Sequence, residues 1–519
     1  MKNPIAVFTS LLLALLLASS GHGAVRFGVT EDAGKYADDG GVSFFATLND
    51  LGMTENRIAV FWDAAHPTEI QERAFLDRSL PVAAAAHVQI VFSVQPLHPT
   101  DVTSTPGGAR QFADYVALLA RTYPQVKEFI IGNEPNQPRF WRPQFSPRGR
   151  GLAAAAYEQM LALSYDALKS VDPAIDVIGL GLSPRGNDDP RARSNVSTSP
   201  VRFIHDLGVA YRASGRTRPI MDELAFHPYP NPSSANDPLL KGYQWPNAGV
   251  PNFARIKQAV WDALAGTAQP TFAEGGGGSP LLAAPAVPPP LTLVLDETGW
   301  QARIPASARS AYTGRESSQT VDEATQARIY GDLVRFVECD PAVTALNLFH
   351  LVDESDLDRF QTGLIRADSS RRPSYDAVKD AIAETAGVCS GAPVVWRHST
   401  AVAGSAASFG RRRSGGVRSG FGITAKEAAR FRAGIFRVRG GRGVVEGDRS
   451  WIGDALASNA PRPGLVSRSS GSVRAYSTRD VTFRPRSLAP GWYVYAVRLA
   501  ASMNPARTSV LVGSPFRVR

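Results

Sequence analysis

Two glutamates stand in the same local setting, each just past an apolar run. Ile130-Ile-Gly-Asn-Glu-Pro-Asn136 places Glu134 after a β-like stretch, with an amide before it and a proline after it. Leu293-Val-Leu-Asp-Glu-Thr-Gly-Trp300 places Glu297 at the end of a second such stretch. Two carboxyls presented together suit the cleavage of a glycosidic bond. One protonates the leaving oxygen, while the other attacks the anomeric carbon, or directs water to it, from the opposite side. A separation of about 5–5.5 Å implies retention of configuration through a covalent glycosyl intermediate.

That chemistry needs a frame that points both side chains at one place. From Val25 to about Ala386 short apolar runs alternate with helical patterns. Strands are expected at Val25–Thr30, Arg57–Trp62, Gln89–Val94, Phe129–Gly132, Asp176–Leu180, Glu223–Phe226, Leu291–Leu295 and Ala345–Phe349. Most lack clean alternation, as strands buried on both faces do. Helical spacing is read over Ala109–Arg121, Leu152–Ser170, Phe253–Leu264, Glu323–Glu338 and Tyr375–Thr385. Eight strands alternating with helices predict a (β/α)8 TIM barrel, with sites at the C-terminal strand ends. A doubly wound sheet is the runner-up, but the Gly-rich phosphate turn it calls for is missing after the first strand. In the barrel, Glu134 ends strand four and Glu297 ends strand seven.

The paired motifs resemble those of the clan A retaining glycoside hydrolases, which include the cellulase-like family 5 and the xylosidase-like family 39. The resemblance covers residues 25–386 and implies that Glu134 is the acid/base and Glu297 the nucleophile. It further implies that Asn133 contacts the sugar 2-hydroxyl. Asn56-Arg-Ile-Ala-Val-Phe-Trp62 is similar to the clan's strand-two segment, which makes Arg57 a candidate neighbour of the nucleophile; a salt bridge within the barrel is the alternative. Phe226-His-Pro-Tyr229 is similar to the strand-six segment, which places His227 near the acid/base and Tyr229 on the nucleophile. The sequence departs from the clan at strand eight, where Phe349 or His350 replaces the usual Trp, and at strand three, where Gln95 or His98 is offered. These departures leave the sugar open. Trp62, Trp141, Trp245 and Trp300 are candidates for stacking on sugar faces, with loop packing as the alternative for each.

Other chemistries find no matching pattern. The eight histidines are scattered without zinc spacing, so no metal or cofactor is expected, and no Gly-x-Ser-x-Gly elbow occurs. The acidic run Asp353, Glu354, Asp356 and Asp358 lacks calcium-loop spacing and reads as a solvated loop. The expected partner is an oligo- or polysaccharide, not nucleic acid. A non-catalytic carbohydrate- or wall-binding protein on the same barrel is the competing reading.

The chain has 519 residues, 44% hydrophobic and 20% charged, enough for one large core and a second domain. Lys2, the apolar stretch Ile5 to Ala18 and the small residues to Ala24 match a signal peptide over 1–24, with a retained anchor as the alternative. No other run is long enough to span a bilayer, so a mature chain that is secreted or extracellular, free or surface-associated, is expected. Residues 25–389 form the expected catalytic barrel, and 390–519 an Arg-rich β-sandwich of immunoglobulin-like type, with a short helix at Ala425–Arg432 capped by Thr424. That tail holds 22 basic and 5 acidic residues, against 34 and 42 in 1–389, within a net charge of +9. It suits an anionic surface or polymer, or simply reflects arginine bias. Cys339 and Cys389 follow the seventh and eighth helices, which both descend to the N-terminal face of the barrel, so a stabilising disulfide away from the chemistry is expected.

Overall fold

The computed structural model describes residues 24–275, 289–413, 416–438, 450–457, 464–483 and 488–518. The expected signal peptide, apart from Ala24, lies outside these residues, as do residues 276–288 of a Gly- and Pro-rich stretch, Glu274–Pro290, that the sequence predicts to be a surface loop before strand seven. Eight parallel strands close into a barrel in chain order: β1 (Arg26–Thr30), β2 (Glu55–Trp62), β3 (Gln89–Pro96), β4 (Glu128–Ile131), β5 (Asp176–Leu182), β6 (Glu223–Phe226), β7 (Thr292–Thr298) and β8 (Val343–Leu348). Closure pairs Arg26 with Ala345 and Gly28 with Asn347. Gly28 sits so near β2 and β8 that an added Cβ would strike the Glu55 carbonyl and the Asn347 amide, so only glycine fits there.

Inside the barrel Val91, Ile130, Ile178, Ala225, Val294 and Ala345 pack together, one from each of β3 to β8. A larger apolar layer fills the space between barrel and helices. A main helix follows every strand, including Gly108–Thr122, Ala153–Val171, Phe253–Leu264, Glu323–Val337 and Pro373–Thr385, close to the expected bounds. Val42–Leu51, Arg73–Ala85 and Pro200–Ser214 are further helices without a counterpart in the sequence reading. Arg73–Ala85 shows why: it contains Pro81 and buries only Leu76, Ser79, Leu80 and Ala83, a faint apolar stripe. Cys339 and Cys389 are joined by a disulfide beyond the ends of Glu323–Val337 and Pro373–Thr385. Among the described residues no helix is long and apolar enough to cross a membrane.

Beyond residue 403 the described residues are mostly antiparallel β. One sheet orders β9 (Gly404–Arg413), β10 (Gly416–Ala425) and β13 (Thr478–Phe483) with β10 in the middle. The other orders β12 (Leu465–Val473), β11 (Ala429–Val438), β14 (Gly491–Ala501) and β15 (Thr508–Val512), and β16 (Phe516–Val518) also pairs with β14. Phe421, Ile423 and Phe483 of the first sheet share a core with Phe431, Tyr495 and Val497 of the second, the packing of a sandwich. The expected helix at Ala425–Arg432 is corrected: β10 ends at Ala425 and β11 begins at Ala429. Ala429, Phe431 and Ala433 are buried and Arg430 and Arg432 exposed, the two-residue period of a strand. A helix does occur, at Ser450–Ala457. The sandwich rests on the helix Phe253–Leu264, where Arg507 pairs with both Asp262 and Glu427, and Trp261 stacks on His398 at 3.9 Å between centroids.

Candidate active site

A cleft of about 990 Å³ opens over the C-terminal strand ends, lined among others by Arg57, Gln95, Asn133, Glu134, Tyr229, Glu297, Trp300, Phe349 and His350. β4 stops at Ile131, and the chain turns through Gly132 at φ 83° into Glu134 at φ 39°. That left-handed backbone is uncommon for a residue with a side chain. It is held where the Glu134 N–H donates to the Gly181 carbonyl of β5 at 2.9 Å. Asn136 clamps the following loop, donating to the carbonyls of Ser183 and Thr198.

β7 departs from regular register between Leu295 and Thr298. In a regular strand Asp296 and Glu297 would face opposite ways. Here Asp296 is fully buried beneath the cleft, whereas Glu297 lines it. Tyr229 donates its hydroxyl to Glu297 Oε1 at 2.7 Å, and Arg57 lies 3.7 Å from Oε2. Burial, then the neighbouring Glu297 charge, pushes the Tyr229 hydroxyl well above its ordinary range, so it stays a donor. Arg57 also donates to Asn133 Oδ1 at 2.6 Å. The Asn133 amide is thereby oriented with its Nδ2 left to donate elsewhere. Arg57 therefore both neighbours Glu297 and takes part in an ionic network within the barrel, which joins the two readings of this residue.

His227 connects the acids. Its Nδ1 lies 3.1 Å from Glu134 Oε1 and 3.8 Å from Glu297 Oε2, and its Nε2 lies 3.2 Å from Asp296. Burial disfavours charge on the ring, but Asp296 and Glu297 outweigh it and push His227 up to about 10. Burial likewise opposes the Asp296 charge; the His227 cation, with Arg57 beyond it, holds this carboxyl below its ordinary range. A buried imidazolium thus sits among three acidic side chains, two of them facing the cleft.

The aromatic lining differs from the tryptophans named above. Trp62 is fully buried and packs edge-on against Phe112, and Trp141 does so against Tyr157; neither lines the cleft. Both are corrected from sugar-stacking candidates to core residues, because the elements behind the strand ends enclose them. Trp245 is half-buried against the core and also lies off the cleft. Trp300 does line it, but is only 1% exposed and packs edge-on against Tyr330, so it serves as wall. The exposed aromatic surface is Phe360, 5.0 Å from Phe349 and 6.5 Å from Tyr229 between centroids. Phe349 and His350 both line the cleft at strand eight, and at strand three Gln95 does while His98 does not.

Three of these features escaped the sequence reading. Asp296 stands beside Glu297 but is buried against His227; Phe360 lies two residues beyond the acidic run; Glu31 is brought 3.4 Å from His350 by barrel closure. The acidic run itself is structural at Asp353, which forms a buried pair with Arg372 at 2.6 Å.

No family model matches the sequence, and no curated protein matches it. Among solved structures the chain is similar to a family 39 glycoside hydrolase from Bacteroides cellulosilyticus WH2, with TM-score 0.47, 15% identity, and 80% of this chain and 76% of that one covered. It is also similar to a monomeric β-xylosidase from Caulobacter crescentus CB15, with TM-score 0.44, 14% identity, and 92% and 97% covered. A glucosidase from Croceicoccus marinus aligns with TM-score 0.46, 12% identity, and 89% and 93% covered. These likenesses are distant. The closed eight-stranded barrel, seen directly in the strand pairing, agrees with the clan A architecture that the sequence resembles.

Proposed function

We propose that the protein is a glycoside hydrolase that cleaves β-linked O-glycosidic bonds of an oligo- or polysaccharide with retention of configuration. The observation that carries the reading is the convergence of Glu134 and Glu297 on one nitrogen of His227. With His227 Nδ1 3.1 Å from Glu134 and 3.8 Å from Glu297, the nearer carboxylate oxygens lie within about 7 Å of each other. That bound includes the short separation of retaining enzymes and excludes most of the wider inverting range, roughly 6.5–9.5 Å.

On this reading Glu134, protonated, gives its proton to the glycosidic oxygen while Glu297 attacks the anomeric carbon. Glu134, now a carboxylate, then takes a proton from water, which displaces Glu297 from the sugar. Tyr229 holds Oε1 of Glu297 and orients the nucleophile. Asn133, fixed by Arg57, offers its amide to the hydroxyl beside the reacting carbon. Phe349 and Phe360 supply the apolar face.

The disulfide and the apolar segment before residue 24 support export to an oxidising compartment. Residues 390–519 are an accessory domain on this reading, and truncation at Ser390 tests it by comparing activity on soluble and insoluble substrate. For the reaction, a panel of β-linked aryl glycosides and polysaccharides is screened and the first product anomer followed by NMR. Retained anomer and labelling of Glu297 by a fluorosugar are expected. Inverted product removes the double displacement, and tight binding of a glycan without any turnover favours a carbohydrate-binding protein instead.

A further inference from the structure

Beyond the catalytic pair, the cleft carries charge that the reaction does not use. Arg139, Arg185 and Arg359 line it from the loops after β4, β5 and β8, and all three are exposed. Among the described residues no carboxylate lies within ion-pair distance of any of them, although Glu31, Asp32, Glu134 and Glu297 line the same cleft. Glu31 faces His350, Asp32 accepts from the Ala59 N–H, and Glu134 and Glu297 are engaged as described. Elsewhere on the barrel some arginines pair with acids, as Arg216 does with Asp166, Arg366 with Glu323 and Arg335 with Glu384, and the cleft differs in gathering three exposed guanidinium side chains at one opening. Residues 1–389 hold 42 acidic against 34 basic residues, so three exposed arginines gathered at one opening go against the overall excess of acids. Each of the three also accompanies an aromatic side chain of the same cleft. The Arg139 guanidinium lies 5.6 Å from the Phe140 ring, Arg359 precedes Phe360, and the charge of Arg185 acts on Tyr243.

We propose that the outer cleft binds an anionic saccharide, with Arg139, Arg185 and Arg359 receiving carboxylate or sulfate groups on the sugars that flank the scissile bond. The planar guanidinium fork matches both groups, and the adjacent rings suit the faces of the same sugars. A cationic rim on an acidic body also draws such a chain toward the opening. This deepens the glycosidase reading and rests on it.

The test uses the full chain carrying Glu297→Gln and measures binding by calorimetry. Three ligand sets are compared: oligoglucuronates and oligogalacturonates, a sulfated galactan oligosaccharide with its desulfated form, and neutral cello- and manno-oligosaccharides. One anionic set is expected to bind at least about tenfold more tightly than the neutral set, and to lose that margin between about 20 and about 300 mM NaCl. Whether the uronate or the sulfate set responds names the source of the anion. Replacing the three arginines by alanine is expected to collapse the anionic-to-neutral ratio toward one, while the melting temperature confirms folding. Equal binding of neutral and anionic chains, or a ratio that survives the triple substitution, overturns the proposal. The unsubstituted protein separates the two readings. Cleavage of neutral glycans without anionic preference keeps the glycosidase and discards the anionic cleft. Arginine-dependent anionic binding with no cleavage of any glycan does the reverse.

Discussion

At the N-terminal mouth of the barrel Arg26, Glu55, Gln89, Glu128, Asp176 and Glu223 are the first residues of β1 to β6. At the C-terminal mouth Glu134, Asp296 and Glu297 gather around Arg57 and His227. Both ends therefore collect carboxylates around few cations. At the lower end Arg26 bonds Glu55 at 2.8 Å and Glu128 at 2.9 Å, and Gln89 and Asn347 occupy further oxygens. One cation shared among so many acids leaves carboxyls that keep their protons. Burial, then the Glu55 charge, pushes Glu128 up to about 8, and burial pushes Glu223 up to about 7. At the upper end two cations hold the acids ionised in the case of Asp296 and leave Glu134 and Glu297 facing open space. A perturbed carboxyl is thus a poor guide to catalysis in this barrel. Glu128 opens β4 and Glu134 follows its C-terminal end, and only Glu134 meets the cleft.

The comparison breaks most visibly through activity. Glu297→Ala is expected to lower kcat by roughly 10⁴-fold or more, whereas Glu128→Gln leaves kcat/KM within about twofold. A large loss from Glu128→Gln would place chemistry at the wrong end. Glu134→Ala is expected to cost about 10²–10⁴-fold on substrates with poor leaving groups and much less on activated aryl glycosides, because only the former need the proton. Equal losses on both would remove Glu134 as the acid.

A smaller effect is expected at the buried acid behind the site. Asp296→Asn removes the anion that most strongly holds the His227 proton, so the imidazole resonances are expected to titrate well below about 10. kcat is expected to fall about tenfold as Glu134 loses a charged hydrogen-bond partner and Glu297 a neighbouring cation. An unmoved titration would show that Glu297 and Glu134 suffice to hold the charge.

The two mouths also separate by pH. Glu128 and Glu223 have folded-state values above the unfolded one, so their stabilising contribution is complete below about pH 4. It is lost as pH rises through about 7 to 8, because the unfolded chain ionises first. His227 is also raised, so its contribution is complete below about pH 6.5 and is lost as pH climbs through about 10. Urea midpoints measured from pH 5 to pH 10 are expected to fall in two stages. Glu128→Gln should flatten the earlier stage by on the order of 2 kcal/mol and leave the later one in place. A profile unchanged by that substitution would mean that Arg26 neutralises Glu128 fully.

Much of the barrel was legible in the chain because its signals are local. Glu223–Phe226 and Phe253–Leu264 have the bounds their apolar spacing predicts, and the stops at Gly132 and Pro135 mark the end of β4. Thin apolar stripes were not legible. The helix Arg73–Ala85 shows little periodicity, and the alternation of Ala429, Phe431 and Ala433 with arginines was mistaken for a helix start. For the site, strand-end position was enough to single out Glu134 and Glu297, whereas Trp62 and Trp141 were misplaced because burial depends on what packs behind them.

The sequence by itself determined the alternation of strands and helices, and which glutamates would sit at C-terminal strand ends. Both follow from apolar runs and the residues that stop them, within a few positions along the chain. Only the tertiary structure decided the charge on His227, the burial of Asp296 and the identity of the aromatic face. His227 is 93 positions from Glu134 and 69 from Asp296, and the two acids of β7 stand where its register shifts between Leu295 and Thr298. Proton affinity and exposure belong to these distant neighbours, because electrostatic fields and desolvation act through space and not along the chain.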